Sequence, residues 1–383
     1  LTGITPGTNE VKAASSLTSA DFLKTNGTSI RKNYGNGEKV YLRGTNAGGW
    51  LVQENWMNPT NAPDQRTMMD TLANRFGTST RDSLVAAYED NYWTTQDFDN
   101  CAAMGMSVIR LPFTYMNLCD DNGNLKSNAW RRLDWFVSNC SSRGMYVILD
   151  MHGAFGSQNG MDHSGEVNDG KQLYYKNKTL NLWAKIAEHF KGNPAVAAYD
   201  ILNEPGIKAA ATYSLHWDFY NEIYKTIRSK DSNHIIIMES CWDADNLPRP
   251  SAYGWTNVAY EYHYYPWNYI SNSSGQASYT AGKVRDIANH NYGVPTFVGE
   301  FTCFDQEDAW RNTMSTYNQQ GWHWTTWAYK VTGNSSWGIY NHSPQSVDIY
   351  NDSADTIRKK WSSVGTDKGW VNSKIYNVVK SYL

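Results

Sequence analysis

The feature that most constrains the fold of this 383-residue chain is a regular alternation of short apolar strands with helical segments. From residue 94 onwards, helical spacing of apolar side chains precedes one strand after another. The predicted strands begin at Val40, Met106, Met145, Val196, His234, Val258, Pro295 and Trp322. Eight strands that alternate with helices are typical of an α/β fold in which a parallel sheet closes into a (β/α)8 TIM barrel. No Gly-x-Gly-x-x-Gly motif follows a strand, which disfavours a doubly wound open sheet.

The chain shows no break in composition that would separate two domains, although its length allows two. We therefore predict a single barrel domain over residues 39–383. Residues 1–38 are rich in Thr, Ser, Gly and Asn. We predict that they form an extended N-terminal arm with little core of its own.

Charge and hydropathy exclude several classes of partner. The formal net charge is -3 and the charges are scattered, whereas a protein that binds nucleic acid or a membrane surface is expected to carry a basic block. No apolar run reaches the roughly 18 residues that suggest a membrane span. The low-charge surface, rich in Ser, Thr and Asn, favours a secreted protein, and we expect it to act as a monomer.

Aromatic residues are the one excess in the composition, with 17 Trp and 26 Tyr. Large rings fill protein cores. A Trp- and Tyr-rich chain of modest charge also suits a cleft that stacks flat, uncharged rings and hydrogen-bonds their edges. Sugars have this shape, so the composition favours a carbohydrate ligand.

Two glutamates stand at the ends of predicted strands, Glu204 in Asn203-Glu204-Pro205 and Glu300 in Gly299-Glu300-Phe301. The active site of such a barrel lies at the C-terminal ends of its strands. A glycosidic bond is hydrolysed by a carboxylic acid that protonates the leaving oxygen and a carboxylate that attacks the sugar or activates water. Other polar and aromatic residues at predicted strand ends are Arg110, His152, Asn203, Glu239, His263, Tyr265 and Trp327.

Other catalytic chemistries find less support in the sequence. His152, His163 and His263 accompany several carboxylates, but no His-Glu-x-x-His pair occurs, so we predict no metal and no other cofactor. No Gly-x-Ser-x-Gly motif is present for a serine nucleophile. The five cysteines contain no Cys-x-x-Cys pair. Cys101 and Cys140 occupy equivalent positions in successive helical segments, and their pairing stays open.

At these positions the sequence resembles glycoside hydrolase family 5, of the clan that places its acid/base on strand 4 and its nucleophile on strand 7. The resemblance covers about residues 40–330. It implies Glu204 as the acid/base and Glu300 as the nucleophile. The remaining sugar-site positions of the family match Arg110 in Ile-Arg-Leu-Pro, His152 in Asp-Met-His-Gly, Asn203, His263 and Tyr265 in His-Tyr-Tyr, and Trp327.

Two further stretches are similar to the fungal exo-β-1,3-glucanases of this family. They are the segment 43–54, which ends at Glu54, and the segment 152–160, which contains Asn159. The resemblance implies that Glu54 and Asn159 contact the terminal sugar. The similarity fades after about residue 165, and an open cleft, as in the family's endo-β-1,4-glucanases, is the alternative.

We therefore predict a retaining hydrolase that acts on β-glucan, and on β-1,3-glucan from one chain end in particular. Glu204 is expected to carry the raised pKa of a general acid. Arg110 and Tyr265 are expected to stabilise Glu300 as the anion. Linkage preference depends on stacking platforms beyond the cleavage point, for which the candidates are Trp242, Trp267 and Trp337. A sugar-binding barrel without catalysis is the non-enzymatic alternative.

Overall fold

The computed structural model describes residues 16–167, 170–206 and 213–383. Within these residues, eight parallel strands close into a barrel in which each strand pairs with the next and the eighth pairs with the first. The strands are β1 Arg43–Asn46, β2 Val108–Thr114, β3 Tyr146–Gly153, β4 Val196–Asp200, β5 Ile235–Cys241, β6 Val258–Tyr264, β7 Thr296–Phe301 and β8 His323–Thr326. The predicted (β/α)8 barrel is confirmed, and each strand lies within a few residues of its predicted position.

Helices connect the strands and cover the outside of the barrel. They are α1 Gln65–Phe76, α2 Thr78–Tyr92, α3 Thr95–Met104, α4 Tyr115–Leu118, α5 Arg131–Ser141, α6 Lys176–Phe190, α7 Tyr213–Lys230, α8 Ser273–His290, α9 Glu307–Gln319, α10 Ala354–Trp361 and α11 Ser373–Lys380. Helix α3 shows how local sequence sets the ends: Thr94 and Asp97 form a capping box, and Gly105 ends the helix with a left-handed φ of 94°.

Side chains of the barrel strands alternate between two apolar environments, as β5 illustrates. Ile236 and Met238 face outward and join the large cluster beneath the helices. Ile235 and Ile237 face inward and join a smaller cluster inside the barrel. The next inward residue on β5 is Glu239, which is buried and ion-paired. The interior is therefore apolar at the N-terminal end of the barrel and ionisable at the C-terminal end.

A β-hairpin closes the N-terminal end of the barrel. Its strands, Lys24–Asn26 and Ser29–Arg31, pair antiparallel. Leu23 and Ile30 are buried in the inner apolar cluster. The hairpin is also tied to the barrel by polar contacts, because the N–H of Thr25 donates to the side chain of Asn257 at 2.9 Å.

Residues 1–15 of the predicted arm lie outside the described residues. Over residues 16–38, this hairpin corrects the expectation of an extended arm with little core. Residues 1–38 are mostly polar, so their few apolar side chains did not indicate a core. The structure buries several of these side chains. Phe22, for example, is 2% exposed and stacks on Tyr34 with ring centroids 4.6 Å apart. A boundary between arm and barrel at residue 38 stays a prediction.

A small additional sheet follows the eighth barrel strand. Its strands Lys330–Thr332 and Tyr340–His342 run parallel, and Trp370–Val371 joins antiparallel. The buried ammonium of Lys330 donates to the backbone carbonyls of Tyr92 at 2.5 Å and Val364 at 3.1 Å. These bonds attach the additional sheet to the end of α2.

The structure also shows whether the cysteines that it describes form disulfides. Cys101, Cys119, Cys140 and Cys303 are buried free thiols, so Cys101 and Cys140 are not paired. Among the described residues, no helix is long and apolar enough to cross a membrane.

Candidate active site

A cavity of about 490 Å³ opens at the C-terminal end of the barrel, a size typical of small-molecule sites. It is lined by Glu54, Trp56, His152, His163, Glu204, Trp242, Tyr265, Trp267, Glu300, Trp327, Ser335 and Trp337. Both glutamates predicted to be catalytic therefore face the same space. The other predicted site residues are buried next to this lining, and they are Arg110, Asn159, Asn203 and His263.

Glu300 lies near the end of β7, with two donors on its two oxygens. Arg110 Nη1 donates to Oε2 at 2.9 Å, and the Tyr265 hydroxyl donates to Oε1 at 2.7 Å. Such charge-assisted bonds stabilise the ionised carboxylate, and the predicted pair of donors is present. A Cβ at Gly299 would lie 2.1 Å from Glu261 Oε2. Glycine at this position therefore allows the Glu261 carboxyl to lie against β7.

Arg110 is the centre of a buried charge network. Its guanidinium nitrogens lie 2.9 to 3.2 Å from oxygens of five carboxyl groups, those of Asp150, Asp200, Glu239, Glu261 and Glu300. One cation cannot neutralise five carboxylates away from water. Burial accordingly raises the pKa values of Asp150, Glu239 and Glu261 well above their usual range.

Glu204 is held in an unusual backbone conformation after β4. Strand pairing ends at Asp200, so the strict alternation of side chains no longer applies to Glu204. Its φ is +42°, in the left-handed region that few residues other than glycine adopt. Its N–H donates to Glu239 Oε1 at 3.0 Å, and its carbonyl accepts from Asn159 Nδ2 at 3.1 Å. These bonds fix the backbone with the side chain at the cavity.

The Glu204 carboxylate lies between two imidazoles. Oε2 is 2.7 Å from His263 Nδ1, and Oε1 is 3.3 Å from His163 Nε2. Although burial opposes the effect, hydrogen bonds from both rings lower the pKa of Glu204 well below its usual value. This direction contradicts the expectation of a raised pKa at Glu204, because the sequence did not reveal a second imidazole.

The pKa values of the two imidazoles shift in the opposite direction. Burial lowers the pKa of His163, but Glu204 and other carboxylates outweigh it and raise this pKa to about 9. The pKa of His263 is likewise raised against burial by Glu300 and Glu204. The carboxylates therefore favour the protonated form of both rings.

His152, at the end of β3, forms the floor of the cavity with Trp327. The two rings are stacked, with centroids 5.5 Å apart and planes 9° apart. His152 Nδ1 is 2.6 Å from Asp150 Oδ2. Burial lowers the pKa of His152 to about 3, so this ring is neutral. Asn203, buried beneath, accepts a hydrogen bond from Arg110 at 2.9 Å.

Glu54 lies in the wall of the cavity and is 8% exposed. Trp56 Nε1 lies 3.4 Å from Oε1, whereas the buried Oε2 has no hydrogen-bond partner in the described part of the chain. Burial raises the pKa of Glu54 to about 7. A buried oxygen without a partner is costly, and a ligand hydroxyl would satisfy it.

Asn159 supports its neighbours and does not line the cavity. Its Oδ1 accepts from the N–H of Met161 at 2.9 Å, and its Nδ2 contacts the Glu204 carbonyl at 3.1 Å and His163 Nε2 at 2.9 Å. The polar atoms of Asn159 are therefore already engaged. Direct contact between Asn159 and a sugar stays a prediction.

Trp56, Trp267 and Trp337 form one side of the cavity, which we call the aromatic wall. The Trp337 ring centroid is 5.6 Å from both Trp56 and Trp267. Trp267 is 57% exposed and Trp56 is 38% exposed. Large exposed rings beside polar groups suit the stacking of a sugar. Trp242 also lines the cavity, so all three candidate stacking platforms lie at this site.

Several carboxyl and imidazole groups lie close enough together to coordinate a metal ion. In the described residues four sets of three have ligand atoms within 4.8 Å: Glu54, Asp162 and His163; Glu204, His263 and Glu300; Glu239, Glu261 and His263; and Asp150, Asp200 and Glu239. In each of the last three sets, carboxyl groups already form ion pairs with Arg110 or His263. In the first, His163 is engaged by Asn159 and Glu204. We therefore assign none of these residues as metal ligands.

Comparison with known proteins now places the chain. The family model described as cellulase (glycosyl hydrolase family 5) matches residues 61–333. The chain belongs to glycosyl hydrolase family 5. It is thus an O-glycosyl hydrolase by family, and the matched span includes both Glu204 and Glu300.

Curated relatives in the family cover different shares of the chain. A β-xylosidase of Phanerodontia chrysosporium is 27% identical over 349 residues, 82% of this chain and 71% of that protein. A probable glucan 1,3-β-glucosidase A of Aspergillus fumigatus is 31% identical over 209 residues, 51% of this chain and 49% of that protein. A glucan 1,3-β-glucosidase of Candida oleophila is 28% identical over 276 residues, 66% and 63% respectively. The matched regions span 49% and 63% of the length of these two glucosidases.

Solved structures share the barrel at low identity. A rutinosidase from Aspergillus niger has a TM-score of 0.63 at 17% identity and covers 84% of this chain and 98% of its own. An endoglucanase from Thermotoga maritima has a TM-score of 0.57 at 17% identity, with 88% and 96% covered. At such identities the likeness shows the fold alone.

Sequence reasoning missed several members of this family 5 site. His163 was noted only as a possible metal ligand, and its contact with Glu204 spans two loops that the sequence does not relate. Asp150 and Glu261 were also missed. Asp150 lies two positions before His152, and Glu261 lies two positions before His263. Because side chains alternate along a strand, both members of each pair face the inside of the barrel. That spacing was the available signal.

Proposed function

We propose that this family 5 enzyme is a retaining exo-β-glycosidase that removes a terminal sugar from β-glucan. The observation that carries the proposal is the carboxylate pair: one oxygen of Glu204 and one of Glu300 lie within 4.8 Å of each other and face one cavity. Retaining enzymes hold their carboxyl groups roughly 5 to 5.5 Å apart, and inverting enzymes roughly 6.5 to 9.5 Å apart. The close spacing supports retention.

In the first step of the proposed reaction, Glu300, which accepts hydrogen bonds from Arg110 and Tyr265, attacks the anomeric carbon. The glycosidic C–O bond breaks, Glu204 gives its proton to the leaving oxygen, and the sugar is joined to Glu300 as an ester. In the second step Glu204 takes a proton from water as the water oxygen displaces Glu300. The imidazoles on Glu204 stabilise its anion between the two steps.

Glu54 and the aromatic wall support an exo-acting site. The unpaired Oε2 of Glu54 is an acceptor for a hydroxyl of the terminal sugar, and the aromatic wall offers a stacking surface. The names of the glucosidase relatives support glucose released from β-1,3-glucan. Because such a substrate is a polymer, we also propose that the enzyme acts outside the cell.

A second substrate candidate is a terminal xylose. The β-xylosidase relative aligns with 82% of this chain, a larger share than either glucosidase named above. The glucose and xylose proposals both use Glu204 and Glu300, and they differ only in the terminal sugar bound beside Glu54.

Product stereochemistry tests the mechanism. We expect proton NMR of an aryl β-glycoside digest to show the β-anomer as the first-formed sugar, with the α-anomer growing in by mutarotation. An α-anomer formed first would overturn the retaining assignment. Glu300→Ala is the matched blank, because it removes the proposed nucleophile.

Product size tests the substrate. Laminarin, carboxymethylcellulose, lichenan and the 4-nitrophenyl glycosides of glucose and xylose are compared at equal enzyme concentration. Glucose as the first product of laminarin supports the exo-glucanase, and faster cleavage of the xyloside supports the xylosidase. A ladder of oligosaccharides with a rapid fall in the viscosity of carboxymethylcellulose would establish an endo-β-1,4-glucanase instead. Activity that persists after dialysis against EDTA would support the predicted independence from metals.

A further inference from the structure

Glu204 receives its two imidazoles from very different environments. His263, on β6, is sealed in the barrel, with its side chain 0% exposed. Its Nε2 is 2.6 Å from Glu261 and 3.2 Å from Glu239. His163, from the loop after β3, lines the cavity and its side chain is 18% exposed. Of this pair, His163 is the imidazole that solvent and ligand reach.

The loop that carries His163 is rigidly built. Ser157 and Ser164 bond to each other across it, with Oγ atoms 2.5 Å apart. Asn159 Nδ2 donates to the Glu204 carbonyl and lies 2.9 Å from His163 Nε2. One side chain therefore contacts both partners of the 3.3 Å pair formed by the His163 ring and the Glu204 carboxylate.

The charges around His163 and Glu204 come from every neighbouring element. The titratable groups are Glu54 after β1, His152 on β3, Asp162 in the same loop, Glu239 on β5, His263 on β6, Tyr265 after β6 and Glu300 on β7. Most of them are acids, which favour a cationic His163. A cation at 3.3 Å favours the ionised form of Glu204.

We propose that His163 is the positioning residue of the acid/base: its ring orients Glu204 Oε1 at the cavity and sets the pH at which Glu204 loses its proton. This inference rests on the proposed function, because it concerns the acid/base role of Glu204. Cationic His163 makes Glu204 a stronger acid for the first step. It also stabilises the anion that accepts a proton from water in the second.

The pH profile of activity tests the proposal. In the kcat/KM profile for a 4-nitrophenyl β-glycoside, the basic limb reports the acid/base. Replacing the cation in His163→Gln or His163→Leu is expected to move this limb to higher pH by about one unit, a tenfold change in the ionisation constant. Because Gln can still donate to Glu204, we expect His163→Gln to keep a higher kcat than His163→Leu. His189→Gln is the control, since His189 lies on α6, bonds to Asp134 and does not line the cavity.

Three results would overturn the proposal. An unmoved basic limb in both folded variants would show that His263 alone sets the ionisation of Glu204. A rise in KM with an unmoved limb would make His163 a sugar-binding residue instead. The third result needs neither a variant nor turnover. In the wild-type enzyme, carbon-13 NMR of the Glu204 carboxyl and nitrogen-15 NMR of the His163 ring should show coupled titration, and independent titration contradicts the inference. If the enzyme hydrolyses no glycoside, the proposed function fails while this NMR experiment still decides the role of His163.

Discussion

The two ends of the barrel interior are built from the same strands and differ in almost every physical respect. At the N-terminal end, Ile235, Ile237 and their neighbours form an apolar cluster that the hairpin seals with Leu23 and Ile30. At the C-terminal end, Arg110 lies among five carboxyl groups. Ile237 and Glu239 are only two positions apart, about 7 Å along the strand.

Burial of side chains is expected to stabilise the fold at the apolar end and to destabilise it at the charged end. Full burial of an aliphatic side chain stabilises a protein by about 1.5–3 kcal/mol. Burial of ionised groups costs several kcal/mol for each ion unless partners compensate. We infer that the apolar end supports a site that would not be stable by itself. Variants at the two ends should therefore separate activity from stability.

The largest effect on activity is expected at the charged end, from Glu300→Ala. Loss of the proposed nucleophile should lower kcat by at least about four orders of magnitude with little change in melting temperature. Glu204→Ala is the matched variant, which should still turn over an activated aryl glycoside and, with azide, yield a β-glycosyl azide. If Glu300→Ala gives that product instead, the two roles are exchanged.

Arg110→Met should damage both activity and stability, because it leaves the buried carboxyl groups without their cation. Removal of one partner from a buried ion pair costs about 3–5 kcal/mol, measurable by urea unfolding. We also expect activity to fall sharply, since Glu300 loses a donor. Arg110→Lys keeps the charge without the branched guanidinium and should lie between. Unchanged stability in Arg110→Met would mean that the carboxyl groups are all protonated.

At the apolar end the expectation is reversed. Ile30→Ala should lower the free energy of unfolding by about 2–5 kcal/mol through the cavity it leaves, while kcat at 25 °C stays the same. Thr28→Ala, at the exposed tip of the hairpin, is the control. A loss of kcat in folded Ile30→Ala would show that the two ends are coupled.

Glu54→Gln should have a smaller effect, confined to the binding of the sugar. A hydrogen bond to a charged group contributes about 1.5–3 kcal/mol, so kcat/KM should fall between tenfold and a hundredfold. Glu38→Gln, on an exposed side chain of the hairpin region, should have no effect. Equal kcat/KM in Glu54→Gln and wild type would remove Glu54 from the sugar site.

The effect that is smallest near neutral pH concerns acid sensitivity at the apolar end. Burial lowers the pKa of His323 from 6.5 to about 3, and the N–H of Leu42 donates to its Nδ1 at 3.0 Å. Below pH 6.5, His323 therefore binds a proton in the unfolded chain but stays neutral in the folded chain. Stability should fall by about 1.4 kcal/mol per pH unit down to about pH 3 on this account. In His323→Gln the slope of unfolding free energy against pH should be reduced by that amount, and an identical slope contradicts the assignment.

Much of the fold and half of the site could be read from the sequence. The barrel follows from the alternation of strands and helices, and Glu204, Glu300, Arg110 and Tyr265 follow from their places at strand ends. The hairpin could not be predicted, because residues such as Ile30 are isolated in polar sequence. The Glu204–His163 contact could not be predicted either, since it joins two loops whose paths depend on packing and not on periodicity.

The additional sheet suggests how the specificity of this enzyme changes during evolution. Trp337 lies on the loop between its strands Lys330–Thr332 and Tyr340–His342, outside the barrel ladder. Mutations, insertions and recombination in that loop can therefore reshape one side of the sugar entrance while the Arg110 network stays under separate constraint. Enzymes that share this barrel can therefore differ in substrate preference while their catalytic groups stay the same.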